Sequence, residues 1–294
     1  MANLKEIQRK IKSVKNTQKT TKAMKLVSSA KLRRTEQLSK RARSYALKIN
    51  EVLGEIALRV AKVQGNENVS RAFRLNDAPK TVDIIVVTAD KGLCGGFNMS
   101  TIKAVNLMIK DYKSKDVTVR LRIAGRKGID YFSFQGFDLC DKVVGLSSAP
   151  DYDKASDFIS DAIKDFNNEV TDKVVLVYNG FVNMLIQERR IKELLPIGLD
   201  SVPSVDSESM LDIEPDDDSA VLNELTEKYL NFNMYYALID SLAAEHSARM
   251  QAMEAATSNA SSRVKSLTVE FNKARQAAIT TELIEIISGT EALK

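Results

Sequence analysis

The feature that most constrains this chain is where its prolines and glycines lie. The sequence has 294 residues with 12 glycines and 5 prolines, yet none of them occurs from Met1 to Leu53 or between Pro215 and Gly289. Because these residue types are the main breakers of an α-helix, stretches this long without them predict a long helix at each end of the chain. Ser288 and Gly289 are expected to end the second helix.

The C-terminal stretch carries a regular repeat. From Leu225 to Thr281, positions separated by alternating steps of four and three hold mostly apolar or small residues. A mean spacing of about 3.5 residues is the period of a left-handed coiled coil. His246, the single histidine, lies on this repeat, which favours a packed histidine over a ligand or an acid–base group.

The N-terminal stretch shows a matching repeat in two registers. Leu4, Ile7, Ile11 and Val14 begin the first register, and the sequence predicts a slip near residues 18 to 28. The second register consists of Leu38, Ala42, Tyr45, Ile49, Val52, Ile56 and Val60. Each apolar seam needs a partner, so we expect the two ends of the chain to wind around each other in antiparallel fashion.

Short runs rich in Val and Ile lie between the two helical stretches, at residues 82–89, 117–124 and 173–178. Amphipathic stretches at 101–115 and 155–168 separate them. This alternation predicts an open, largely parallel α/β sheet. The expected fold class is therefore α/β, with a long antiparallel coiled coil of N- and C-terminal helices plus a central Rossmann-like open α/β domain.

These patterns divide the chain into four parts. The N-terminal helix of the coiled coil is expected at 1–75, the central α/β domain at 76–205, an acidic linker at 206–218 and the C-terminal helix at 219–294. The linker ends in three aspartates, which would place carboxylates at the positive N-terminus of the last helix.

Charge is distributed unevenly along the chain. Residues 1–62 contain 17 Lys and Arg against 4 Asp and Glu, a local net charge of +13, whereas the whole chain carries only +4. A basic arm on an acidic body predicts a strongly anionic partner for the arm. The longest uninterrupted apolar run, Met234 to Ile239, is far too short to cross a bilayer, which needs about 20 residues.

The loop from Asp90 to Asn98 follows the first predicted strand, where α/β folds place phosphate-binding turns. It lacks both the spacing of the dinucleotide fingerprint and the Gly-Lys-Ser/Thr ending of a P-loop, so a structural tight turn is favoured. Cys94 could be a reactive thiol at a helix N-terminus, but a buried small residue is favoured because no candidate base lies nearby.

The sequence offers no catalytic set. It has no paired Ser and His, no metal-ligand cluster and no Walker sequence, so we expect no enzymatic activity, no cofactor and no metal. Two alternatives from other classes stay open on the residues alone: a nucleic-acid-binding coiled coil that contacts phosphates through its basic arm, and a phosphate-binding α/β enzyme with helical arms.

Three stretches resemble the gamma subunit family of F-type ATP synthases. They are SVKNTQKTTKAMKLVSSAKLRR from Ser13 to Arg34, TADKGLCGGFN from Thr88 to Asn98 and NKARQAAITTELIEIISG from Asn272 to Gly289. The stretches occur in the family's order, and the resemblance covers essentially the whole chain.

The resemblance implies a non-catalytic central rotor shaft at the cytoplasmic face of the cell membrane. It couples proton-driven rotation to ATP synthesis or hydrolysis at the catalytic beta subunits. The implied partners are the alpha and beta subunits of the catalytic hexamer, the epsilon subunit and the membrane c-ring, with no nucleic acid. By the same resemblance, the residues that contact the catalytic subunits are Met24, Lys25, Arg249, Gln276, Thr280 and Glu282.

Overall fold

The computed structural model describes residues 2–64, 71–74, 76, 78–197 and 218–291. The elements in chain order are α1 (Ala2–Gln64), a 3-10 turn (Arg71–Phe73), β1 (Thr81–Val87), α2 (Phe97–Ser114), β2 (Thr118–Ala124), α3 (Arg126–Phe134), β3 (Leu139–Val143), α4 (Tyr152–Asn167), β4 (Lys173–Phe181), β5 (Gln187–Leu195) and α5 (Asp218–Glu291). They form two compact units. The first unit contains α1 up to Ser29 and α5 from Arg249 onward, and the second contains Ala30 to Ala248.

Both predicted terminal helices are present, with 63 residues in α1 and 74 residues in α5. The predicted end at Ser288 and Gly289 is wrong, because α5 continues to Glu291. Gly289 does not adopt the positive φ that a C-terminal glycine cap requires. A glycine inside a helix costs only about 1 kcal/mol relative to alanine, which is too little to end a helix by itself.

The central part of the chain forms a five-stranded sheet in the order β3-β2-β1-β4-β5. β1 pairs in parallel with β2 and β4, β2 pairs in parallel with β3, and β5 is antiparallel to β4. The three apolar runs of the sequence became β1, β2 and β4, and the two amphipathic stretches became α2 and α4. The predicted α/β fold class is confirmed.

Three elements escaped the sequence analysis: α3 and the two edge strands, β3 and β5. β5 contains Glu188, Arg189, Arg190, Lys192 and Glu193, a composition that does not indicate a strand. Charged side chains are common on edge strands, because they discourage pairing with other chains, and they hide such strands from pattern analysis.

Two layers of side chains cover the sheet. On one face, apolar residues of β1, β2 and β4 pack against α2 and α3, with Phe132 and Val105 fully buried. On the other face, α4 packs beside α1 and α5, which contribute Leu53 and Met234 among others. Because both faces are covered, the central strands read as continuous apolar runs.

Buried charges interrupt this apolar interior on the α4 side. Asp83 of β1 is fully buried, and Arg122 of β2 donates from Nε to its Oδ2 at 2.9 Å. Arg122 also pairs with Asp165 of α4, which in turn pairs with Arg120. Removing one member of such a group would leave an uncompensated buried charge, so the group fixes how α4 sits on the sheet.

The proposed four-part division of the chain stays a prediction. Most of the acidic linker at 206–218 lies outside the described residues, and its last residue, Asp218, begins α5.

Lys192 provides a test of the packing between β5 and α5. Its Nζ donates to Oδ1 of Asn233 at 2.6 Å and lies 5.4 Å from the ring centroid of Tyr229. Burial lowers the pKa of Lys192 to about 8, from an ordinary value of 10.5.

We expect the melting temperature of the wild-type chain to rise relative to that of Lys192→Met as the pH increases from 8 to 10.5. The folded chain loses this proton at a lower pH than the unfolded chain does, so the folded state gains stability through this interval. The gain is at most about 3 kcal/mol, which corresponds to several degrees. Thermal melting across the pH range measures it, with Lys228→Met as the control because Lys228 is exposed on α5. If the melting temperature changed with pH in the same way for wild type and Lys192→Met, the assignment would be contradicted.

Candidate functional site

The terminal helices pair in antiparallel fashion in the first unit. The hydroxyl oxygens of Thr21 and Thr257 lie 2.7 Å apart, and Lys25 forms an ion pair with Glu254. The residue numbers of these pairs sum to 278 and 279, as expected for two helices running in opposite directions at one register. The predicted antiparallel pairing of the chain ends is confirmed.

Burial along α5 follows the predicted repeat in this unit. The predicted positions, which alternate by four and three residues, are all buried or half-buried here, and they are Met253, Thr257, Ala260, Val264, Leu267, Phe271, Ala274 and Ala278. Alanine and threonine occupy half of these positions, so the two helices can approach closely.

The predicted slip in the register of α1 is wrong. Burial continues at steps of three and four from Leu4 to Ile56, and the positions after Val14 are Gln18, Thr21, Lys25, Ser28, Leu32, Thr35, Ser39, Ala42, Ala46, Ile49, Leu53 and Ile56. Leu38 and Tyr45, which the shifted register placed inside, are exposed. Polar residues occupy most positions in the middle of this repeat, so the pattern of apolar residues alone does not reveal it.

The six residues implied as contacts all lie in the first unit, and they do not form one cluster. Met24 and Lys25 are half-buried on α1, and Arg249 is buried on α5. Gln276, Thr280 and Glu282 are exposed near the end of α5, where the Thr280 hydroxyl donates to the carbonyl of Gln276 at 3.0 Å.

The end of α5 presents an apolar surface that sequence reasoning missed. If residue numbers of paired positions sum to about 278, the residues after about 277 have no counterpart on α1. Half or more of each large apolar side chain is exposed there, and these residues, the α5 end patch, are Ile279, Leu283, Ile284, Ile286 and Ile287. The signal in the sequence was the motif Leu-Ile-Glu-Ile-Ile beyond the end of the repeat at Thr281.

The beginning of α1 presents a cationic surface. Its exposed basic residues before Ser29, the α1 basic face, are Lys5, Arg9, Lys10, Lys12, Lys15, Lys19 and Lys22. Within the described part of the chain, the ion pairs formed before Ser29 involve only Lys10 and Lys25, and that of Lys10 is with Glu6 on its own helix. The excess positive charge therefore stays available to an anionic partner.

In the second unit, the loop after β1 approaches α5. Ala89, Cys94 and Phe97 form an apolar cluster with Ala244 and Ala248 of α5. Inside the loop, the Asn98 side chain accepts from the Ala89 N–H at 2.9 Å and donates to the Cys94 sulfur at 3.3 Å. The predictions of a structural turn and of a buried Cys94 are confirmed.

This arrangement occupies the place where an open α/β sheet binds ligands. The strand order reverses between β1 and β4, and the crevice at their carboxyl ends is the usual ligand site. The side chain of Asn179 of β4 donates to the carbonyl of Phe97 at 2.6 Å, and Phe181 packs against the cluster from the same end of the sheet. Side chains of the chain itself thus fill the crevice.

The N-terminus of α3 is occupied in a similar way. The Asp90 carboxylate accepts the backbone N–H of Arg126 at 3.0 Å and that of Gly145 at 3.1 Å. Burial opposes ionisation of Asp90, but the hydrogen bonds to the carboxylate, led by these two backbone donors, together outweigh it and lower the pKa of the carboxyl. A carboxylate of the chain stands where a phosphate would otherwise accept hydrogen bonds from the helix.

Other candidates from the sequence fit the packing. His246 is buried, as the repeat predicted. Among the described residues, no three His, Cys, Asp or Glu side chains converge as a metal site would require. None of the helices in the described part of the chain is long and apolar enough to span a bilayer.

Comparison with known proteins places these features in a family. The family model described as ATP synthase matches residues 3–293. The chain is 70% identical to the ATP synthase gamma chain of Aliarcobacter butzleri and 59% identical to that of Sulfurovum sp., in each case over the full length of both proteins. It belongs to the ATP synthase gamma-chain family.

Solved structures support the fold. A chain from the central stalk and c-ring of the Tetrahymena thermophila mitochondrial ATP synthase matches with a TM-score of 0.61 at 27% identity, covering 81% of this chain and 99% of that one. A chain of the Euglena gracilis mitochondrial ATP synthase matches with a TM-score of 0.67 at 18% identity, covering 99% of this chain and 95% of that one.

The pairing of the terminal helices can be tested by crosslinking. We expect Thr21→Cys/Thr257→Cys, in a Cys140→Ser background, to form an intramolecular disulfide under mild oxidation, because the two hydroxyl oxygens are only 2.7 Å apart. The control is Thr21→Cys/Asn259→Cys, since Asn259 is exposed on another side of α5. Gel mobility without reductant measures the crosslink. Equal yields from the two pairs would show that the register is different.

Proposed function

We propose that the chain is the central rotor shaft of an F-type ATP synthase. It couples rotation driven by proton flow through the membrane sector to ATP synthesis or hydrolysis at the catalytic beta subunits. The observation that carries the proposal is the unequal surface of the paired terminal helices, which is cationic at the start of α1 and apolar at the end of α5. Full-length membership in the gamma-chain family supports it.

An unequal surface is what a shaft of this kind needs. Identical catalytic sites adopt different states only if the shaft contacts them with different free energies. Shifting a two-state site from 1:99 to 99:1 requires about 5.5 kcal/mol of differential interaction. The α1 basic face places positive charge on one side of the paired helices, and rotation would carry that charge from one beta subunit to the next.

The chain itself is non-catalytic in this proposal, and it uses no cofactor or metal. The filled crevice at the carboxyl ends of β1 and β4 supports this role, because the usual nucleotide position of the fold is taken by Phe97 and the alanines of α5. The crevice serves instead to dock the α/β domain on α5. Nucleotide chemistry is assigned to the beta subunits.

The proposed partners follow the two kinds of surface. The alpha and beta subunits surround the terminal helices, with contacts at Met24, Lys25, Gln276, Thr280 and Glu282. We expect Arg249 to contribute least to these contacts, because little of this residue is exposed. The epsilon subunit and the c-ring bind the α/β domain, and the Tetrahymena relative, which comes from a central stalk with its c-ring, supports the second of these contacts.

The proposed location is the cytoplasmic face of the cell membrane, as a peripheral part of the complex. Nucleic-acid binding is disfavoured, because α5 covers the seam of α1 and the central α/β domain is foreign to basic-zipper proteins. Copurification from washed membranes tests the whole assignment. Recovery of the chain without alpha and beta subunits would overturn it.

The α5 end patch allows a sharper test. We expect Ile286→Asp/Ile287→Asp to lower the yield of assembled complex and its ATP-driven proton pumping, since burying two carboxylates in an apolar contact is unfavourable. The melting temperature of the isolated chain should stay within about 2 °C, because both side chains are exposed there.

Glu285→Gln, an exposed change within the same turn, serves as the control. Normal assembly and pumping by the double variant would show that no partner covers the patch.

A further inference from the structure

A buried carboxylate joins three elements of the second unit. Asp240 of α5 is almost fully buried, and Arg190 of β5 donates from Nη1 to its Oδ2 at 2.6 Å. Its Oδ1 accepts from the Ser39 hydroxyl of α1 at 3.2 Å and from the Phe181 N–H at the end of β4 at 3.4 Å. One side chain thus ties both terminal helices to the hairpin formed by β4 and β5.

The backbone of β4 is shaped to admit this pair. A Cβ at Gly180 would lie 2.4 Å from Nε of Arg190 and 2.6 Å from Oδ2 of Asp240, which is closer than real Cβ contacts. A side chain at this position would therefore force the Arg190 and Asp240 side chains to shift. Arg190, a residue of β5, also donates from Nη2 to the carbonyl of Phe181 at 3.4 Å. Its guanidinium is therefore bonded to the neighbouring strand β4 as well as to Asp240.

The pair sits among other polar groups. It lines a cavity of about 270 Å³ whose wall includes Glu36, Lys40, Arg43 and Tyr236. Burial raises the pKa of the Asp240 carboxyl, and the charge of Arg190 opposes that shift. A buried ion pair of this kind contributes little net stability compared with apolar side chains of similar volume, so it is better suited to fixing one arrangement.

Apart from the Lys192–Asn233 hydrogen bond between β5 and α5, the remaining packing between the hairpin and α5 is less directional. Phe181 packs against the apolar cluster that includes Ala244 and Ala248, a contact without directional bonds. The Gln187 side chain donates to Ser247 at 3.0 Å, a neutral hydrogen bond. Charged hydrogen bonds have narrower geometric requirements and roughly twice the strength of neutral ones.

We propose that Ser39, Gly180, Arg190 and Asp240 form a clasp that sets the angle of the α/β sheet on the two terminal helices and carries load between them. This inference rests on the proposed rotor function. Under it, the clasp is a positioning device: it touches no nucleotide, and it limits how far the sheet twists before the helices follow.

The test uses the full chain assembled with alpha and beta subunits. A bead is attached at Cys140, which is exposed on β3, while Cys94 is buried. The width of the bead's angular fluctuations in a stalled complex reports the stiffness between sheet and helices. ATP hydrolysis without load and rotation against the drag of a large bead are measured on the same preparations.

The main variant is Arg190→Met/Asp240→Leu, which replaces the pair with apolar side chains of similar volume and keeps the interface packed. We expect about a twofold larger angular variance and slower rotation under high drag, with unloaded hydrolysis close to wild type, because the directional contact is lost while burial is kept. The melting temperature should fall by a few degrees, because the Ser39 hydroxyl and the Phe181 N–H lose their acceptor. Gln187→Ala is the matched control, since it removes the neutral hydrogen bond of the same interface.

Gly180→Ala is the second variant, and it acts without removing a charge. Its Cβ must displace the Arg190–Asp240 pair, so we expect the same increase in variance. If the double variant fails to assemble, the angular variance of Gly180→Ala tests the clasp by itself. Arg190→Lys keeps the charge and should restore part of the stiffness.

Wild-type variance in both the double variant and Gly180→Ala would overturn the clasp. Equal loosening by Gln187→Ala would also overturn it, because ordinary packing would then account for the effect. A wild-type chain that neither assembles nor rotates would instead reject the proposed function, so the two failures are distinguishable.

Discussion

The antiparallel contact between the two terminal helices governs the rest of this structure. Its seam carries large apolar residues at both ends of α1 and small or polar residues through the middle, where Thr21 meets Thr257. Small side chains permit close approach, and a polar pair in a seam fixes register because a shifted register would leave its hydroxyls facing apolar groups. The basic and apolar surfaces used in the proposed function depend on that register, since it decides which residues stay outside.

The α/β domain shows how a fold with a common ligand site can serve another purpose. In an open sheet the crevice beside β1 and β4 would receive a ligand, and the N-terminus of α3 would hold an anion. Here Phe97 and two alanines of α5 close the crevice, and the carboxylate of Asp90 takes the anion position. The strand ends that make such sheets good binders here dock the sheet on α5, and the helix N–H groups are satisfied by a side chain of the domain itself.

Two groups of buried charges in the second unit lie where elements meet. Arg122, which pairs with Asp83 inside the sheet, also pairs with Asp165 and so holds α4 on the sheet, and Asp240 and Arg190 join the hairpin to the helices. Both pairs pay a desolvation penalty that apolar residues would avoid. Their placement at joints between elements, rather than within one element, agrees with a role in specifying geometry.

The sequence by itself determined the terminal helices, the repeat on α5, the three central parallel strands and the resemblance to the family. Each of these depends on local composition or on a period along the chain, which physical chemistry makes readable without a partner. Only the tertiary structure decided the polar half of the α1 seam, the charged edge strand β5, the closure of the crevice and the lowered pKa of Lys192. Polar and charged residues take their role from the groups that they meet in space, and residues as distant as Ser39 and Asp240 meet only when the chain has folded.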